Sequence, residues 1–98
     1  MTREHVLETL RKEKAGLSQF AVKRLAVFGS VARGDMREGS DVDILVEFEP
    51  GAHIGLFEFV RLRRHLSHAL GLEVDLVTVE ALRPEIRERV LSEKVDAA

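Results

Sequence analysis

Two segments of this 98-residue chain constrain its fold more than anything else in it: DVDILVEF, Asp41 to Phe48, and LEVDLVTV, Leu72 to Val79. Each alternates, and each sets aspartate in a frame of Val, Ile and Leu. In the first, Val42, Ile44, Val46 and Phe48 share one face while Asp41, Asp43, Leu45 and Glu47 share the other. In the second, Glu73, Asp75 and Val77 oppose Leu72, Val74, Leu76 and Thr78. A period of two is the mark of a strand. A further strand is read in VKRLAVF, Val22 to Phe28, which runs straight into a tight turn at Gly29-Ser30.

The segments between these strands read as helices. Val6, Leu7, Leu10, Leu17 and Phe20 recur at helical spacing from Thr2 to Phe20, with Thr2 as N-cap and Gly16 as the point where the helix is interrupted or ends. VARGDM has room for only a short helix. Ile54 to Leu70 is helical and stopped by Gly71, and Pro84 opens a last helix to about Glu93. The order helix, strand, short helix, strand, helix, strand, helix predicts an α/β (α+β) fold, a small three-stranded mixed sheet with helices packed on it. Residues 1–98 are expected to form one domain, since a linker and a second core would not fit.

Composition narrows the function. Apolar residues at 45% and charged residues at 33% exclude disorder as the main state. Fifteen Lys and Arg against 17 Asp and Glu leave a net charge of -2, so no overall basic field exists for gripping duplex nucleic acid. Without cysteine there is neither a disulfide framework nor a thiolate zinc site. The start is amphipathic and charged, unlike a leader, and no apolar run approaches the ~20 residues of a membrane span, so a cytoplasmic location is expected.

Strands disfavour aspartate, yet three of the five aspartates (35, 41, 43, 75 and 96) lie in the predicted strands. Asp41 and Asp43 project from one face with Cα atoms roughly 6.5 to 7 Å apart. Asp75 joins them if its strand lies alongside. Three converging carboxylates repel one another unless cations fill the space, and hard oxygen ligands favour magnesium or manganese, which outlines a two-metal site. The plainer reading makes Asp41 part of the Gly39-Ser40 turn and Asp43 a solvated residue on an edge strand. Gly29-Ser30 weighs against it: glycine lets backbone approach a ligand, and the following N–H groups and hydroxyl can hold phosphate oxygens.

GSVARGDMREGSDVDILV, Gly29 to Val46, resembles the G-S-x-A-R-G and S-D-x-D signature of minimal nucleotidyltransferases in the DNA polymerase beta superfamily. The resemblance extends to the third aspartate in EVDLV, Glu73 to Val77, and implies a polymerase beta palm-like fold. It also implies a metal triad of Asp41, Asp43 and Asp75, acting catalytically with Mg2+ or Mn2+, and a nucleotide-binding pair, Gly29 and Ser30, on the β- and γ-phosphates. The implied reaction transfers a nucleoside monophosphate from ATP and releases pyrophosphate. Arg33 and Ser40 also match. Arg33 either neutralises phosphate or anchors the loop holding Ser40, and Ser40 reads as a turn or cap residue.

In pairs that this sequence resembles, a minimal nucleotidyltransferase is the antitoxin of a HEPN ribonuclease toxin, in some cases adenylylating a toxin tyrosine. The chain has no tyrosine of its own, so tyrosyl self-modification is excluded. The expectation is thus a protein adenylyltransferase with a HEPN-type partner. The alternatives are a nucleotide-binding antitoxin that masks its partner without catalysis, and transfer to a small molecule in a pocket completed by oligomerisation. Homo- or hetero-oligomers are left open. Arg63 and His68 satisfy the R-x4-H pattern of HEPN ribonucleases, a two-residue coincidence in RLRRHLSH, which otherwise reads as a solvated helix face.

Overall fold

The structure, a computed structural model, describes residues 2–37 and 39–97. Thr2 caps the first helix as expected: its Oγ1 accepts from the His5 N–H at 3.2 Å, and α1 (Arg3–Lys12) buries Val6, Leu7 and Leu10. The helix does not run on to Phe20. It breaks at Glu13, ahead of Gly16, restarts as the single turn α2 (Lys14–Leu17), and tightens into a 3-10 turn at Ser18–Phe20.

Ala21 then adopts φ 56°, in the left-handed region, while its carbonyl accepts from the Glu49 N–H at 2.8 Å. That conformation costs an L-residue about 1–2 kcal/mol, and glycine avoids it at an entropic cost of about 0.5–1 kcal/mol. Ala21→Gly is therefore expected to raise stability by about 0.5–1 kcal/mol in urea denaturation.

The predicted strands form as β1 (Val22–Phe28), β2 (Val42–Phe48) and β3 (Val74–Thr78). A fourth, β4 (Val95–Asp96), corrects the expected three-stranded sheet; two residues are too few to carry an alternation. The sheet order is β3-β2-β1-β4, with β2 antiparallel to β1 and parallel to β3, and β4 antiparallel to β1.

Both faces of β2 are covered. On one, α1 and α4 (Leu56–Leu70) pack Leu62, Leu66 and Leu70 over Val42, Ile44, Val46 and Leu76. Gly71 ends α4 at φ 68°, as the sequence predicted. On the other, a 3-10 turn (Val79–Ala81) and α5 (Pro84–Glu93) bring Leu82 and Val90 onto Ala26 and Leu45. Leu45 thus sits among acidic neighbours because half of its face is core. The rest of that face, at the Asp43 end, stays uncovered enough to hold chemistry. No helix among the described residues is long and apolar enough to cross a membrane.

Candidate active site

Three strands deliver the site to one row. Phe28, the last residue of β1, pairs with Asp43, and Asp43 pairs with Asp75 in the parallel register of β2 and β3. Asp43 and Asp75 therefore point to the same face, as the alternation required.

Gly29 follows Phe28 and opens α3 (Gly29–Arg33) with φ +68°. A Cβ there would lie 2.2 Å from Oδ2 of Asp43, so the backbone rests directly against that carboxyl group. Any larger residue would meet both a left-handed backbone and an occupied space.

The electrostatics follow from this crowding. Asp43 has its pKa raised from 3.8 to about 6, first by burial, then by the charges of Asp75 and Asp41. The Arg33 guanidinium pulls the other way, and a hydrogen bond with Asp75 favours the protonated form. Without a cation, Asp43 therefore takes up a proton more readily than a free carboxylate and loses it only as the pH rises through about 6.

Asp41 lies just before β2, exposed, and adds to the negative field at Asp43. It is not part of a closed cage: among the described residues no three carboxylate or imidazole groups are gathered to hold a metal ion. The donor set nonetheless fits a divalent cation. Magnesium is commonly held by one or two carboxylates together with substrate phosphates and water, and a cation there would relieve the carboxylate repulsion that raises the Asp43 pKa.

Ser30 stands beside Gly29 in the first turn of α3, half-buried, with its carbonyl accepting from the Asp35 N–H at 3.0 Å. Arg33 reaches Glu93 at 3.3 Å and Asp35 at 3.4 Å, fastening α3 to α5. Its anchor is thus α5, and no bond to Ser40 is found among the described residues. Ser40 is a turn residue: its Oγ accepts from the Arg37 N–H at 3.3 Å and its N–H donates to the Arg37 carbonyl at 3.0 Å. Gly29, Ser30, Asp43 and Asp75 are brought together, Asp41 sits at the rim, and Arg33 and Ser40 are tied into the scaffold. Glu93, the partner of Arg33, was missed; nothing local in the sequence links residues so far apart.

A glycine-turned strand end beside paired strand carboxylates, on a mixed sheet backed by helices, defines an enzyme that handles nucleoside phosphates. The chain belongs to the nucleotidyltransferase domain family, whose profile matches residues 7–97. It is 42% identical over 96 residues to the protein adenylyltransferase MntA of Thermococcus cleftensis, covering 97% of this chain and 95% of the relative. A solved structure presented as a minimal nucleotidyltransferase superposes with a TM-score of 0.80 at 39% identity, covering 97% of this chain and 95% of that one. The fold also matches, at TM-score 0.64 and 18% identity, a complex of tri-AMPylated Shewanella oneidensis HEPN toxin with MNT antitoxin, over 94% of this chain and 71% of that one. The chain is a nucleotidyltransferase of the minimal type.

Proposed function

We propose that this chain transfers adenosine monophosphate from ATP to a hydroxyl group of a partner protein, a HEPN-type toxin, as the antitoxin of the pair. The observation that carries the reading is the row formed by Gly29, Asp43 and Asp75, with glycine backbone pressed on one carboxyl group and that group in contact with the next. The name of the Thermococcus cleftensis relative and the AMPylated toxin in the Shewanella oneidensis complex support the choice of adenylyl group and partner. The need for ATP suits a cytoplasmic enzyme.

The order of strands supports a division of roles. Gly29 and Ser30, after β1, would hold the β- and γ-phosphates through backbone N–H groups and the Ser30 hydroxyl. Asp43 lies one strand over. Asp75 is exposed on β3, an edge of the sheet, where an acceptor can approach. The acceptor oxygen forms a bond to the α-phosphorus as the α–β bridging bond breaks; pyrophosphate leaves toward Gly29 and Ser30, and Asp75 takes the hydroxyl proton. Asp43 and Asp75, with Asp41 from the rim, would hold magnesium or manganese. Such an ion supplies Lewis-acid neutralisation of the phosphate oxygens.

Turnover tests the reading. A small amount of this chain with ATP and magnesium is expected to inactivate a molar excess of the HEPN-type partner, measured by ribonuclease assay and intact mass. The partner should gain one or more adenylyl groups and stay inactive after separation. Inhibition that needs equimolar protein, proceeds without ATP and vanishes when the complex is taken apart would instead establish masking.

A further inference from the structure

A cleft of about 760 Å³ opens at the same end of the sheet as the carboxylate pair, between the Gly39–Asp41 turn, the second half of α4 and the Gly71–Glu73 connection. Arg63, Arg64 and His68 line it from α4, while Asp41 and Glu73 line it from the strand ends. Asp41 therefore borders both the cleft and the candidate active site. Of the run RLRRHLSH, which in sequence resembles an ordinary solvated face, Arg63, Arg64, Ser67 and His68 form one wall of this concavity, Arg64 and His68 remaining exposed.

The cations on that wall have no local reason to be there. Positions four residues before Arg63 and Arg64 are Phe59 and Val60, and those four after are Ser67 and His68, so α4 offers neither arginine an acidic helical neighbour. Among the described residues neither guanidinium has an ion-pair partner, and Asp41 and Glu73, though in the same cleft, do not come within pairing distance of them. Two adjacent forks of N–H donors facing a concavity fit the carboxylates of an incoming chain.

Location separates this cleft from the donor's side. The phosphate grip at Gly29 follows β1, whereas the cleft is built on the approaches to β2 and β3, and β1 and β3 are about 10 Å apart with β2 between them. With the triphosphate on the β1 side, the β3 side is left to the acceptor.

We infer that the cleft docks an acidic segment of the acceptor protein, Arg63 and Arg64 pairing with its carboxylates while its hydroxyl passes around the strand ends at Asp41 and Glu73 to reach Asp75 on the opposite face of the sheet. The inference rests on the transfer reading above and adds the chemistry by which the acceptor is chosen. Docking itself makes and breaks no covalent bond.

Two synthetic peptides of equal length test it, each with one tyrosine, flanked by glutamates in one and glutamines in the other. Binding is measured by calorimetry without nucleotide, and transfer from ATP is measured separately. The glutamate peptide is expected to bind about tenfold tighter, with a preference that shrinks as salt rises. Arg64→Glu, at an exposed position with no fold to disturb, should abolish the preference, as should Arg63→Ala with Arg64→Ala, the KM for ATP staying unchanged. Equal binding of both peptides overturns the inference. So does a rise in the KM for ATP with peptide binding unaltered, which would give the cleft to the donor. If the peptides are discriminated but no transfer occurs, the activity reading fails and the docking surface stands; transfer without discrimination fails the docking surface alone.

Discussion

Asp43→Asn is expected to bring nucleotidyl transfer down by at least the 10²–10³-fold typical of losing one electrostatic anchor, while making the metal-free protein more stable at neutral pH. The two effects share one cause. Asp43 is crowded by burial, by Asp75 and by Asp41, and its pKa lies near 6 instead of 3.8. A carboxyl group whose pKa is raised by folding binds its proton more tightly in the native state. Between about pH 4 and pH 6 the native state thus holds more protons than the unfolded chain, and stability falls as pH rises across that window.

Above pH 6 the cost is constant. Fully transmitted, a shift from 3.8 to about 6 is worth ~3 kcal/mol, but Asp43 is only half-buried and screened by water, which leaves about 1 kcal/mol. Asparagine carries no charge and can still donate a hydrogen bond to Asp75. Urea denaturation in a chelator is therefore expected to give the variant an advantage of about 1 kcal/mol at pH 7 that disappears below pH 4. An advantage independent of pH would mean that carboxylate crowding is not its source, and transfer at the parental rate would remove Asp43 from the reaction.

That crowding was partly legible in the sequence. Aspartate at alternate positions in DVDILVEF and again in LEVDLVTV announces carboxylates on strand faces, because strands rarely tolerate them without a use. The alternation could fix which face Asp43 and Asp75 use but not that β2 and β3 lie side by side. Their adjacency depends on α4 crossing from one to the other, and the pairing of Asp43 with Asp75 is a register that only the folded sheet defines. Gly71 and Pro84 marked the end of α4 and the start of α5 correctly, since each acts through its own backbone.

Features set by distant packing were not legible. The break at Glu13 carries no glycine or proline to announce it, and β4 is too short to show a period. Leu45 looked like an exception on a polar face until α5 supplied Leu82 and Val90 above it. Arg33 had two readings because its partner, Glu93, belongs to a helix that reaches α3 only after the whole sheet has formed.

Gly29 offers the sharpest test of the site, because two separate strains meet at it and can be taken apart. Gly29→Ala must place a side chain at φ +68°, at a cost of about 1–2 kcal/mol, and must also displace Oδ2 of Asp43, which lies 2.2 Å from where the Cβ would stand. Moving that carboxyl group swings it out of its contact with Asp75 and away from the proposed phosphate site at Gly29 and Ser30. Transfer is therefore expected to fall by 10² or more, the loss that an ångström-scale misplacement can cause. Stability should fall by about 2–3 kcal/mol, the sum of backbone strain and displaced side chain.

Asp43→Ala removes the obstructing carboxyl group but not the backbone requirement. In that background Gly29→Ala should cost only the backbone part, so the double-mutant cycle should show a coupling of about 1 kcal/mol between residues adjacent in space and fourteen apart in the chain. Additive losses in urea denaturation would show that the glycine serves its own turn alone, and the close contact between the Gly29 turn and the carboxylate pair would lose its role in holding the site together.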